Sequence, residues 1–408
     1  MKTCEFGFGA LGYIRKYKKV REDSYKILLI GTHGQNNIGD ELLLETFLFQ
    51  LRRFVNKQVL DFFVNSYQPE VTEAVFNVKS FHTLKEKYKL LFYILRCDCI
   101  FFAGGSIVKE LYSAYGRNKY SVLNILVFLV GFSKIIMRKK IILSNIGIGP
   151  LETKKGLRKA KFVLSHSDFV SVRDLESIKY GRMVGIDKLI LVPDAVLSLD
   201  KNYFKLVDIN DRKINSLMDV HKIGFNLCRN ISKPAVWNNF IIEMMNFFEI
   251  LFNYNPDIEI IGLPMQQNYS CDDYKTLNEF QIQLKKRLPR IKIKILRPKE
   301  AKEVAKIIND CDLMIVERLH GAVLSTIIHV PFISLEYDVK VKSYLAEIDF
   351  KDNGVDISES FDAREVFGKV KTVAENYSKQ VCKLKSVSSE KKFLADKYFI
   401  QLREDLYS

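Results

Sequence analysis

The stretch Asp312-Leu313-Met314-Ile315-Val316-Glu317-Arg318-Leu319-His320-Gly321-Ala322-Val323-Leu324-Ser325 decides how this chain is read. Its first five residues form a near-continuous apolar run, the pattern of a strand covered on both faces. Its last residues, continuing through Thr326-Ile327-Ile328, are small and apolar and predict a helix. Arg318 and His320 therefore stand where a strand hands over to a helix. In open α/β sheets that is where ligands bind, and the unpaired N–H groups of the following helix favour an anion there. A fixed cation and an imidazole at such a junction suggest phosphate chemistry.

Similar runs recur on both sides of it. Residues 25–31, 60–65, 98–104, 140–147 and 189–193 predict strands in the first half, and 222–227, 258–262, 291–296, 312–316 and 331–336 in the second. Helical patterns separate them, which predicts doubly wound α/β units. The run 291–296 alternates Ile and Lys and so predicts a half-exposed strand at a sheet edge. At 408 residues the chain exceeds one typical core,. A polar interruption between Ser198 and His221 sets the expected division into domains at 25–205 and 215–360, with an extension at 1–24 and amphipathic helices in 361–408.

The formal net charge is +15. That excess favours anionic partners, whether phosphorylated ligands, acidic membrane surface or nucleic acid, but no nucleic-acid-binding signature accompanies it. The seven Cys include no CxxC pair and read as free thiols of a reducing compartment,. Nothing resembles a signal peptide or a membrane-spanning helix. The apolar run Val122–Phe132 predicts a buried helix; Lys134, Arg138, Lys139 and Lys140 follow it, which leaves open an in-plane contact with a membrane,.

Four further segments end predicted strands in turn-forming residues. Gly31-Thr32-His33-Gly34-Gln35-Asn36-Asn37-Ile38-Gly39-Asp40 precedes a predicted helix from Glu41 to Phe54. Its glycines permit tight turns and close approach to a ligand, although its spacing is neither GxGxxG nor a P-loop. Asp40 is either an acceptor-side base or simply the cap of that helix. Gly104-Gly105-Ser106 and Gly147-Ile148-Gly149-Pro150 are shorter versions of the same idea. In Ser171-Val172-Arg173-Asp174, Arg173 suits an interior ion pair and Asp174 a helix cap. After the strand 331–336, Tyr337-Asp338-Val339-Lys340 places Asp338 and Lys340 where they converge with Arg318 and His320. Of the other histidines only His33, in the first glycine loop, is a candidate. No cluster of His, Cys and carboxylates suggests a metal.

Seven tags in order, Asn37-Ile38-Gly39-Asp40-Glu41, Gly104-Gly105, Gly147-Ile148-Gly149-Pro150, Ser171-Val172-Arg173-Asp174, Pro193-Asp194, Arg318-Leu319-His320 and Tyr337-Asp338-Val339-Lys340, resemble the polysaccharide pyruvyl transferase family. The resemblance covers roughly residues 25–345. It implies two Rossmann-like domains facing a cleft in a GT-B-like arrangement, with the acceptor on the first and the donor on the second. It implies a transferase that moves the enolpyruvyl unit of phosphoenolpyruvate onto hydroxyls of a bacterial polysaccharide or its lipid-linked precursor, as a pyruvate ketal. Phosphoenolpyruvate would be a co-substrate, with no cofactor, and the enzyme would be cytoplasmic, at or near the inner membrane face. Arg318 and His320 occupy the positions implied for donor binding and catalysis, and Asp40 is the expected acceptor-side base. Gly321, where the family more often has Ala, with Lys340 and Asp338, would line the donor side. Asn37, Gly39, Gly104, Gly105, Gly149 and Arg173 would line the acceptor side. The rival readings are a glycosyltransferase of the same architecture using a nucleotide sugar, and a non-catalytic glycan- or nucleic-acid-binding protein.

Overall fold

A computed structural model describes residues 24–54, 60–111, 118–207, 212–229, 234–268, 271–358 and 361–407. The expected N-terminal extension lies outside the described residues. The first sheet comprises β1 (Tyr25–Ile30), β2 (Leu60–Ser66), β3 (Lys79–His82), β4 (Cys99–Ala103), β5 (Lys140–Ile146), β6 (Phe169–Val172) and β7 (Ile190–Leu191). All are parallel, in the order β3-β2-β1-β4-β5-β6-β7. The second sheet comprises β8 (Lys222–Phe225), β9 (Glu259–Gly262), β12 (Lys292–Ile295), β13 (Leu313–Val316), β14 (Phe332–Glu336) and β15 (Gly354–Asp356); a small hairpin, β10 (Gln267–Asn268) with β11 (Cys271–Asp272), lies between β9 and β12 in the chain. Its parallel order, β12-β9-β8-β13-β14-β15, repeats the first. Both orders reverse direction beside their first strand, so each sheet has a topological switch point, between β1 and β4 and between β8 and β13.

The crossovers are helical: α1 (Ile38–Phe54), α2 (Pro69–Phe76), α3 (Lys87–Arg96), α4 (Ser121–Gly131), α5 (Lys154–Ser165) and α6 (Leu175–Met183) in the first domain, and α7 (Pro234–Tyr254), α8 (Asp273–Arg287), α9 (Ala301–Asp310), α10 (Leu319–Ile328) and α11 (Val339–Glu347) in the second. Local chemistry sets many of their ends. Thr153 and Asp174 accept the Gly156 and Ser177 N–H groups at the starts of α5 and α6,. In α9 the buried residues Ala301, Val304, Ala305 and Ile308 fall at helical spacing and face the core,. Every described residue of β4 and β13 is buried, as continuous apolar runs in parallel sheets require,. β12 is the outermost strand and alternates in exposure, in keeping with its Ile/Lys alternation.

One apolar core runs across the junction of the domains. It joins Leu42, Phe47 and Leu51 of α1 to Val304 and Ile308 of α9 and to Ala322 and Ile327 of α10. The last two helices divide their work. α12 (Ala363–Glu375) packs on the second domain, burying Val366 and Val370 in its core. α13 (Tyr377–Tyr407) returns to the first, where Tyr398 Oη meets Ser171 Oγ at 2.8 Å and also bonds Ser144.

Two expectations need correction. Helix α1 starts at Ile38, three residues before Glu41, so Asp40 lies inside its first turn and is not its cap; Asn37 instead accepts the Gly39 N–H at 3.0 Å. The run Val122–Phe132 is not wholly buried. Leu123, Leu126, Leu129 and Val130 face the core, but Ile125 and Phe128 are exposed on the outer face. The helix then continues as a π-helical turn, Phe132–Ile136, whose Ile135 and Ile136 are also exposed. Cys97, Cys99, Cys228 and Cys311 are buried free thiols.

Candidate active site at the domain junction

The two switch points face each other. The loop after β1 lies against the segment after β9: Ile38 N donates to Met265 O at 2.9 Å, and Gln267 N to Asn36 O at 2.9 Å. This backbone contact brings the glycine loop of the first domain onto the strand ends of the second. Gly39 is a point of close approach. A Cβ on it would lie 2.2 Å from Nδ1 of His320, so only glycine admits the imidazole there,. The first and the sixth of the seven tags thus meet in space.

His320 sits in the first turn of α10. Its Nε2 is buried, makes no hydrogen bond, and lies 3.9 Å from Asp194 Oδ2. Burial pushes the imidazole from 6.5 down to about 4; Asp194 opposes this, while Arg173 and Lys340 add to it,. The ring is therefore neutral at pH 7.

Two cations act on it, Arg173 from the first domain and Lys340 from the second, and Lys109 lies close enough to both to be repelled by them. Arg173, at the end of β6, donates from Nη1 to Asp194 Oδ2 at 3.4 Å and from Nη2 to Ser106 Oγ at 3.2 Å. Asp194 is held in turn, because its Oδ1 accepts the Val196 N–H of a short 3-10 turn. Lys109 follows the Gly104-Gly105 turn. Burial lowers its ammonium below the ordinary value, with repulsion from Lys340 and Arg173; Asp338 and Asp40 oppose. Lys340 reaches Asp338 Oδ2 at 3.3 Å, and Asp338 caps α11 through the Lys340 N–H. Asp40 completes the group: burial raises its carboxyl above the ordinary value, against a hydrogen bond from Thr32 and the charges of Arg173, Lys340 and Lys109.

The glycine turns make this approach possible. Gly104 and Gly105 have φ of +68° and +79°, a left-handed conformation that side chains resist, and it directs the chain on to Ser106 and Lys109,. Gly104 N donates to Ser144 O, and Gly147 N to Gly105 O, which ties the ends of β4 and β5 together. Gly149 packs its α-carbon under Tyr180, and Gly321 packs α10 tightly onto Val316. Gly321 is thus a packing residue of the junction. Glu41 braces the first loop by accepting the Gly34 N–H, while burial raises its carboxyl to about 7. His33 lies sealed beneath that loop, against Gly31, with its imidazole pushed down to about 4 by burial.

Arg318 has a different position from its neighbour two residues on. Its guanidinium grips Asp273 with a fork, Nε to Oδ2 at 3.2 Å and Nη2 to Oδ1 at 2.7 Å,. Asp273 is fully buried and also accepts the N–H groups of Met265 and Gln266. Met265 is one of the two residues that bond the first domain's loop, and Gln266 lies between it and the other, Gln267. Asn226, at the end of β8, fixes the Arg318 backbone by accepting its N–H at 2.9 Å. Arg318 therefore anchors the interdomain contact, whereas His320, Lys340 and Asp338 face Arg173, Lys109 and Asp40. Lys109 and Asp273 were not singled out by sequence. Lys109 stands three residues past Ser106 on a turn already recognised, and Asp273 opens a helix, a place where Asp ordinarily reads as a cap.

Comparison with known proteins fits this geometry. Over most of its length the chain is similar in fold to GT-B-type glycosyltransferases and epimerases. A Rickettsia africae glycosyltransferase superposes with a TM-score of 0.59 at 10% identity, covering 95% of this chain and 99% of that one. The UDP-GlcNAc 2-epimerase of Neisseria meningitidis gives 0.57 at 10% identity, covering 94% and 99%. A putative UDP-N-acetylglucosamine 2-epimerase of Listeria monocytogenes gives 0.58 at 9%, covering 89% and 91%. At such identities the likeness is one of fold. No curated protein matches the sequence. The profile of the polysaccharide pyruvyl transferases matches residues 37–339, most of the chain from the first loop to the start of α11, and the protein belongs to that family.

Proposed function

We propose that this enzyme transfers the enolpyruvyl unit of phosphoenolpyruvate to two hydroxyls of one sugar, in a polysaccharide or its lipid-linked precursor, giving a pyruvate ketal and free phosphate. The observation that carries this reading is the buried, unbonded Nε2 of His320 amid Lys109, Arg173 and Lys340. A buried polar atom without a partner calls for one. A small, doubly anionic donor with a carboxylate and a phosphate suits three cations converging from two domains.

The chemistry needs four events. A proton is added to the methylene carbon of the donor, leaving a cation at C2. A sugar hydroxyl attacks C2 and loses its proton. Phosphate departs with the electrons of its C–O bond. A second hydroxyl then attacks C2 and loses its proton, closing the ring. The site must supply an acid, a base and charge stabilisation for phosphate. Asp40, whose carboxyl burial pushes toward the protonated form, is the better placed acid. Neutral His320 is the base for the sugar hydroxyl, with the imidazolium it becomes stabilised by Asp194. That makes Asp40 the acid, where the sequence led to an acceptor-side base. Lys109, Arg173 and Lys340 hold the donor's anionic groups. Arg318 positions the interdomain loop through Asp273.

The test is mass spectrometry of the producing cell's glycans with the wild-type protein, with His320→Ala, and without the protein. A mass increment of one pyruvate ketal on a sugar, present only with the wild type, is expected; identical glycans in all three cells would overturn the reading. The fold likeness to a glycosyltransferase and to epimerases of UDP-sugars favours a second reading, a nucleotide-sugar donor. A thermal shift separates the two: phosphoenolpyruvate raises the unfolding temperature under the first, and UDP-sugars raise it under the second.

A further inference from the structure

We infer that the outer face of α3, α4 and α5 docks on an anionic lipid surface, holding the site beside the membrane. This rests on surface chemistry alone and stands whichever donor the site takes. Leu95 of α3, Ile125 and Phe128 of α4, and Ile135 and Ile136 of the π-helical turn have between 53% and 67% of their surface exposed. A soluble surface seldom gathers so many large apolar side chains in one place. They are neighbours in space. α3 and α4 share one core through Ile94, Leu123 and Leu126, and Lys139, just after the turn, donates to Leu95 O at 3.0 Å and Cys97 O at 2.7 Å. Phe128 also stacks on Phe132, one turn along, at 5.9 Å.

The charge around this apolar strip selects its occupant. Between Lys119 and Asp168 lie ten Lys and Arg but only two acidic residues, Glu152 and Asp168. Asp168 is occupied by Lys134, at 2.5 Å. Lys155, Arg158 and Lys161 are exposed on α5, which packs beside α4 where Gly131 meets Phe162. Arg96 covers the Phe92 ring on α3 at 4.1 Å, and Arg138 is exposed just past Ile136. An apolar strip bordered by cations matches a bilayer that offers acyl chains beneath anionic headgroups. A second copy of the chain would set this positive border against itself. Among the described residues no helix is long and apolar enough to cross a membrane, so the contact is one of lying on the surface.

The strip begins next to the site. Tyr120, just before α4, bonds Thr153 at 3.0 Å, and Thr153 donates to Glu110, the residue after Lys109. A lipid-anchored substrate would thus reach the junction of the domains from the docked face.

Co-sedimentation of the full chain with vesicles tests this. The probes are vesicles of phosphatidylglycerol with phosphatidylcholine in equal parts and vesicles of phosphatidylcholine alone. The wild type pellets with the first and stays in solution with the second, and added salt weakens binding because the headgroup attraction is screened. Ile125→Asp with Ile136→Asp lowers the vesicle-bound fraction about 10-fold or more, as does Lys155→Glu with Arg158→Glu, since docking needs both the apolar and the cationic part. Phe128→Ser with Ile135→Ser is the milder variant, read if the first apolar pair fails to fold. Equal binding of wild type and apolar variants, or no preference for the anionic vesicles, overturns the inference. So does a wild-type dimer, seen by light scattering, that the apolar variants convert to monomer without a change in vesicle binding.

Discussion

Two strand-to-helix junctions, the glycine loop Gly31–Asp40 of the first domain and Glu317–Gly321 of the second, each border the switch point of their sheet, the first after β1 and the second after β13. They do opposite jobs. The first removes side chains: Gly39 leaves a space that the His320 ring fills. The second supplies side chains: His320 to the site, and Arg318 to the contact that holds the domains together. Neither is a site alone. The switch-point rule places a ligand at each sheet's crevice; facing two such crevices lets one domain complete the other.

The comparison is broken most forcefully at His320. His320→Ala lowers phosphate release from phosphoenolpyruvate, with total cell glycan as acceptor, by about a thousandfold, the size expected for loss of a proton-transferring group. Activity within a few-fold of wild type would move the chemistry away from the junction. Arg173→Ala comes next. It leaves Asp194 buried without its partner, so stability falls by about 3–5 kcal/mol in urea unfolding, beside a loss of donor affinity. Arg173→Lys keeps the charge but cannot reach Asp194 and Ser106 together as the guanidinium does, so it restores donor affinity better than stability,. Unaltered stability in Arg173→Ala would show that the pair is not buried as described.

Arg318→Lys has a smaller effect of a different kind. Lysine cannot make the two-point grip on Asp273, so the Met265–Gln267 contact loosens. KM for phosphoenolpyruvate rises about 10-fold with kcat changed less, as expected when closure of the site costs about 1.4 kcal/mol more. A fall in kcat at constant KM would instead place Arg318 on the reacting atoms.

The last effect is in the pH dependence of stability, where opposing groups partly cancel. His33 and His320 are each lowered from 6.5 to about 4, so each withholds stability as pH falls from 6.5 toward 4, by ~3 kcal/mol apiece,. Glu41 and Glu317 are raised from 4.5 to about 7, and their contribution is lost as pH rises across that interval,. The two pairs oppose each other between pH 4.5 and 6.5, and the carboxyls of Asp40, Glu336 and Glu347, also raised by burial, add to the second pair,. Relative to the wild type, Glu317→Gln removes one opposing carboxyl and tilts the curve toward greater stability at higher pH in that interval; His33→Phe does the reverse,. Parallel curves for the three proteins would contradict these assignments.

Most of the fold was legible because buried parallel strands are apolar throughout, and β4, β13 and β14 could not be read otherwise. The edge position of β12 followed from its alternation. β3 and β15 escaped notice because they are short, and β6 because Ser171-Val172-Arg173-Asp174 drew attention as a motif. Of the site, His320, Lys340, Arg173 and Asp40 were visible as polar residues at strand ends. Which of them meet was not, because that depends on how two domains pack. Arg318 shows the limit: its residue type and place suggested an anion ligand, but the buried Asp273 that grips it lies 45 positions away. The outer face of α4 misled for a related reason, since an apolar run does not reveal which of its sides lacks a cover.

The claim that two junctions make one site is tested most directly by calorimetry of phosphoenolpyruvate binding to the wild type, Gly39→Ala, His320→Ala and the double variant. Gly39→Ala places a methyl group where the imidazole lies, so both single variants should disturb the same contact. The account predicts that the wild type binds phosphoenolpyruvate, that each single variant weakens it, and that the double variant is no worse than the weaker single one. Losses that simply add, or a wild type that does not bind phosphoenolpyruvate, would contradict it.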